Sequence, residues 1–97
     1  MPTSQASVRA TKAPRYFSAL CKHFARKVTV DQGPTTARVC FPMGTCDMSV
    51  DGETMHFCCR AESAPELRRV ETIVADHVTN FGELKATAVR WRDGADG

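Results

Sequence analysis

Nothing in this 97-residue chain approaches the ~18 consecutive apolar residues of a membrane-spanning helix. Met1–Arg15 also lacks the apolar centre of a secretion signal, so a cytoplasmic protein without membrane contacts is expected. Charge of one sign is scarce. Thirteen Lys and Arg against eleven Asp and Glu leave +2, too little to argue for nucleic acid. The five cysteines include no Cys-x-x-Cys pair and are odd in number, so reduced thiols packed as small apolar groups are expected, not a disulfide framework. Repeats, low-complexity tracts and catalytic signatures are all missing. What remains is one domain, which at this length buries roughly 60–65% of its unfolded surface. Its expected extent is 6–92, with 1–5 and 93–97 as flexible tails.

The patterning is clear between those limits. Ser7–Ala10 alternates as a short strand, with Val8 inward and Arg9 outward. Pro14 opens a helix over Pro14–Lys27 whose apolar stripe is Phe17, Leu20, Cys21, Phe24 and Val28. Val28–Val30, Thr36–Phe41, Thr45–Val50 and Thr54–Ala61 read as strands separated by turn residues. Ser63-Ala64-Pro65-Glu66 is a capping box for a second helix over Ala64–Phe81, stopped at Gly82. Its stripe is Leu67, Val70, Ile73, Val74, Val78 and Phe81, with His77 among them. Ala86–Arg92 is a last strand, Val89 and Trp91 inward, Arg90 and Arg92 outward.

Asp51-Gly52 predicts a two-residue type I′ turn. That turn sets Met48 opposite Met55 and Cys46 opposite Phe57 on the inner face, and Asp47 opposite His56 on the outer one. A four-residue connection at Pro42–Thr45 would place Phe41 opposite Cys46 and Val39 opposite Met48. One apolar sheet face needs both helices on it. The expected fold is therefore an α+β two-layer sandwich, strand–helix–four strands–helix–strand, resembling the topology of TATA-binding protein.

Three groupings of polar residues can carry chemistry. Cys21, Cys46 and His77, with His23 at the margin, all tend toward the buried layer. Two thiols and an imidazole suit zinc, copper(I) or iron. The spacing matches no zinc signature, and Cys21 and His23 point about 200° apart on a helix. The expected state of His77 is thus a core histidine hydrogen-bonded to the backbone or a hydroxyl, with no resident cofactor, and a transition metal is the alternative. Cys40, Asp47 and His56 form an outward row that can be drawn as a nucleophilic triad, but no oxyanion site accompanies it. A plain Asp47–His56 contact is expected instead.

The third grouping is the open face itself, where Arg9, Arg38, Arg60, Arg90 and Arg92 join His56 and Asp47. An arginine-rich face left uncovered by helices invites a second copy, a protein partner or an anionic ligand. Nucleic acid is not expected as a partner, because Phe41, Phe57 and Trp91 face inward and cannot stack on the bases of a single strand.

Ala13-Pro14-Arg15-Tyr16-Phe17, Leu20-Cys21-Lys22-His23-Phe24-Ala25-Arg26-Lys27, Phe41-Pro42-Met43-Gly44-Thr45-Cys46 and Asp76-His77-Val78-Thr79-Asn80-Phe81 together resemble an uncharacterised bacterial family, domain of unknown function twenty-two eighteen. The resemblance covers Ala6 to Arg92. It implies a short free-standing protein, or a domain fused ahead of siderophore-interacting reductase modules. The implied setting is iron and siderophore handling, with a siderophore-interacting reductase or a ferric siderophore as partner. The resulting expectation is a non-enzymatic accessory domain, against a metal-binding or redox protein and a dimerisation module.

Overall fold

Four successive segments alternate apolar and polar residues, so the chain must lay them side by side with one face toward an apolar cover. A computed structural model describes residues 2–80, 84 and 89–93. It contains, in order, β1 (Thr3–Arg9), α1 (Ala13–Ala25), β2 (Thr29–Gln32), β3 (Thr36–Phe41), β4 (Gly44–Asp51), β5 (Thr54–Ala61), α2 (Ala64–Val78) and β6 (Arg92–Asp93). The strands form one antiparallel sheet ordered β2-β3-β4-β5-β1-β6. Both helices pack on one face, making the expected α+β sandwich. Phe17, Leu20, Cys21 and Phe24 of α1 and Leu67, Val70, Val74 and Val78 of α2 close over Val39, Cys46, Met48, Met55, Phe57 and Cys59.

The helix boundaries follow local chemistry. Ser63 Oγ accepts the Glu66 amide at 3.4 Å and donates to Glu66 Oε1 at 3.0 Å, so the cap joins hydroxyl to carboxylate directly. α1 stops at Ala25, two residues short of the expected Lys27, with Arg26 still in the αR region. α2 stops at Val78, and the expected Phe81 end and Gly82 stop lie outside the described residues.

β1 is longer than its pattern predicts. Thr3, Ser4 and Gln5 belong to it and not to a tail, because β1 sits between β5 and β6 and takes hydrogen bonds from both sides. Asp93, also expected in a tail, pairs with Ser4. Of the expected last strand, residues 86–88 lie outside the described ones. Val89 and Trp91 pack on the core before β6 begins at Arg92.

Both turns are tighter or later than predicted. Asp51 pairs with Thr54, leaving Gly52-Glu53 as the two-residue loop. Gly52 has φ +60° and Glu53 does not take positive φ, the type II′ pattern with glycine first. Cys46 therefore faces Cys59 instead of Phe57, and Met48 faces Phe57 instead of Met55. Phe41 pairs with Gly44 across Pro42-Met43, so Val39 faces Cys46 and Ala37 faces Met48. Each partner moves by two residues. A two-residue slip preserves the face of every side chain, and Met48, Met55 and Phe57 are all buried as expected.

Gly44 explains the tight β3–β4 turn. A Cβ there would fall on the Arg60 carbonyl oxygen and lie 3.1 Å from both Ala61 Cβ and Val70 Cγ2. Only a bare Cα lets β4 start this early, beneath α2. Gly44→Ala is expected to destabilise the fold by about 1–3 kcal/mol or more. A denaturant midpoint equal to wild type would contradict this placement.

Candidate functional site

The face away from the helices carries rows of polar side chains. Across β3, β4, β5 and β1, one row is Arg38, Asp47, Cys58 and Gln5, and the next is Thr36, Ser49, His56 and Ser7. Asp47 and His56 are therefore not opposite each other. The two-residue slip separates the expected Cys40–Asp47–His56 row, placing Cys40 opposite Thr45 and Thr29. Asp47 instead takes Arg38 in a forked pair, Nε to Oδ1 at 2.7 Å and Nη2 to Oδ2 at 3.1 Å. His56 Nδ1 shares a 2.8 Å hydrogen bond with Ser7 Oγ. A trough of about 780 Å³ runs over this region, with Asp31, Arg38, Asp47, Ser7, His56 and Cys58 among its walls. Arg60 and Arg92 are exposed on the same face beside it, and Arg9 reaches Glu53 at 3.8 Å. Arg90 is exposed as expected.

The inner layer departs further from expectation. No group of three or more His, Cys, Asp or Glu among the described residues is arranged to hold a metal ion. The expected alternative set of Cys21, His23, Cys46 and His77 is not assembled. Cys46 lies opposite Cys59 on the neighbouring strand, both fully buried. Cys21 is buried in the core under α1. His23 is exposed and His77 is half-buried at the edge of the apolar layer.

What the fold does bring together is His23 and His77. Their ring centroids are 4.8 Å apart with planes at 64°, and Phe24 lies 4.7 Å from His77. His77 Nδ1 is 2.7 Å from the Ile73 carbonyl oxygen. A carbonyl can only accept, so Nδ1 is the donor, and in the neutral ring Nε2 holds the lone pair. The backbone partner expected for His77 is present. These rings border a groove of about 320 Å³ between α1, α2 and the β3–β4 turn, whose other walls include Phe41, Met43 and Ile73.

Two polar anchors escaped the sequence reading. Arg68 Nη1 meets Glu71 Oε2 at 2.7 Å and its Nη2 meets Asp93 Oδ1 at 3.5 Å, tying α2 to β6 around a buried carboxylate. The i, i+3 spacing of Arg68 and Glu71 was the available signal. The Cys46–Cys59 contact was hidden by the register.

These features define a two-layer α+β domain with a polar trough on its open face and an apolar, histidine-edged groove at the helix layer. The model of the family DUF2218, uncharacterised proteins conserved in bacteria, matches residues 5–92, and the chain belongs to that family. Among solved structures, it is similar to the NMR structure of PA4090 from Pseudomonas aeruginosa. Identity is 24%, the TM-score is 0.76, and 95% of this chain and 96% of that one are covered, which establishes a shared fold. No curated protein matches the chain.

The buried thiols give the domain a pH dependence. The hydrogen bond that the Cys46 thiol donates to Cys59, followed by burial, pushes Cys46 well above its usual range, and burial alone raises Cys21. Below the unfolded thiol value near ~8.5 both states keep their protons and stability is full. Above it the unfolded chain ionises first, so stability falls as pH rises toward the folded value. Melting temperature is expected to decline between about pH 8.5 and 10, less steeply in Cys46→Ala. Equal slopes for the two proteins would contradict the raised thiol.

Proposed function

We propose that this chain is a small cytoplasmic accessory domain of iron–siderophore metabolism that binds an anionic ferric siderophore through its open sheet face, without catalysing a reaction. The setting comes from the family resemblance. The observation that carries the binding mode is the trough, whose volume lies in the usual range for small-molecule clefts. Its hydrogen-bonding groups are preorganised: Asp47 orients the Arg38 guanidinium, and Ser7 fixes the His56 ring. Arg60 and Arg92 add exposed guanidinium groups beside it, the side chain best matched to oxyanions. A siderophore-interacting reductase is the natural protein partner on this reading, receiving the loaded domain.

The reading is tested by titrating the pure protein with a ferric tris-catecholate and a ferric tris-hydroxamate, following Trp91 emission and backbone amide shifts. Binding is expected to perturb Gln5, Asp47 and His56 amides. It should weaken at least tenfold in Arg60→Glu/Arg92→Glu and fall with added salt. Sedimentation in the same buffer distinguishes a ligand site from self-association. A dimer buried on this face that binds neither ferric complex would overturn the proposal in favour of a dimerisation module.

A further inference from the structure

We propose that the groove at the helix layer is a copper(I) site, with His23, His77 and the Met43 thioether as its ligands. This does not rest on the siderophore reading, since it uses another surface and a different chemistry. The three side chains come from separate elements. His23 lies in the last turn of α1, His77 in the last turn of α2, and Met43 in the two-residue β3–β4 turn, and all three line one groove.

The imidazoles lie close enough to share one ion. Metal–nitrogen bonds of about 2.0 Å hold two ring centres about 5 Å apart at tetrahedral angles, and here the centroids are 4.8 Å apart. The bond from His77 Nδ1–H to the Ile73 carbonyl fixes the tautomer that leaves Nε2 as the ligating nitrogen. Metal-bound imidazoles characteristically make such a bond with their second nitrogen. The helix supplies this orientation from its own backbone, four residues upstream.

The donor set selects the ion. No carboxylate lines the groove, which leaves out the hard oxygen ligands that calcium, magnesium and manganese require. A thioether beside two imidazoles is a soft combination that suits copper(I). Phe24, Val28, Phe41, Pro42 and Ile73 complete the walls and are apolar. Lys27 also borders the groove, but it is exposed, and its long stem lets the ammonium stay in water. Loading involves no change of oxidation state. Neutral imidazoles and a thioether release no proton on binding, whereas coordination by thiols at neutral pH does.

The test uses untagged, reduced protein under anaerobic conditions at pH 7.5, titrated with copper(I) supplied as its bicinchoninate complex. One equivalent should be withdrawn from the chelator with no proton release across buffers of different ionisation enthalpy. The Met43 methyl and both histidine ring signals should shift in the NMR spectrum. His23→Ala, at an exposed position, and Met43→Leu, a volume-conserving swap, should each weaken binding at least tenfold while amide spectra stay folded. Cys40→Ser/Cys58→Ser should bind as wild type. Unchanged affinity in His23→Ala and Met43→Leu, binding lost in the cysteine variant, or no copper withdrawn would each overturn the proposal.

Discussion

The period-two alternation of β3, β4 and β5 is the constraint from which the other features follow. It commits Val39, Cys46, Met48, Met55 and Phe57 to one face, and that face has to be covered. Two amphipathic helices are the available cover, so α1 and α2 must lie on the same side. Whatever polar groups the strands carry is then left on the other side, open to solvent. Gly44 shows how closely the cover sits. The β4 backbone, the Arg60 carbonyl and Val70 of α2 leave no room for a methyl group between them. There the Val70 side chain of α2 lies directly against the bare backbone of β4.

Polar groups that end in the buried layer meet different surroundings. Cys46 and Cys59 meet across β4 and β5, so each thiol has a soft neighbour in place of an unpaired cavity. Glu71 is buried but takes the Arg68 guanidinium, which also reaches Asp93. Removing Arg68 would leave a buried carboxylate without its partner, a larger loss than that of an exposed ion pair. Ser4 Oγ is fully buried with no hydrogen-bond partner among the described residues. Its position in a central strand, opposite Cys59 and Asp93, accounts for its burial.

Element order, sheet composition and the inward face were legible because they depend on periodicity, which a single chain displays along its length. Pairing depends on the residues at each loop, and there the reading fell two residues short twice. Asp51-Gly52 is a strong type I′ signal, but that turn needs Asp51 itself at positive φ, whereas a type II′ turn over Gly52-Glu53 asks positive φ of the glycine alone. At Pro42–Thr45 the outcome turned on a contact with Arg60 and Val70, distant in sequence and invisible to local patterning. The buried face survived both slips because its period is two. The candidate sites did not, since Asp47 with His56 and Cys46 with His77 each required a specific partner. β1 was under-read for the opposite reason. Ser4 and Gln5 have little strand character of their own and are extended because β5 and β6 flank them.

The two candidate surfaces differ in the chemistry they can recognise, and the difference originates in the fold. Open-face residues project from rigid strands at fixed spacing, so their guanidinium and carboxylate groups pair laterally, as Arg38 and Asp47 do. On the proposed reading, such a surface would meet an oxygen-rich ligand through charge and direction. The groove instead lies where two helix ends and a turn converge, with side chains arriving from three directions around apolar walls. Convergence of that kind suits a small soft centre and not an extended anion. Phe24 takes part in both the core and this groove, stacking edge-on against Phe41 at 5.5 Å and resting 4.7 Å from His77. Packing in the core therefore sets the position of the histidine pair, and a change at Phe24 acts on the groove without touching the trough. The sheet that separates them lets one small domain keep two independent surfaces.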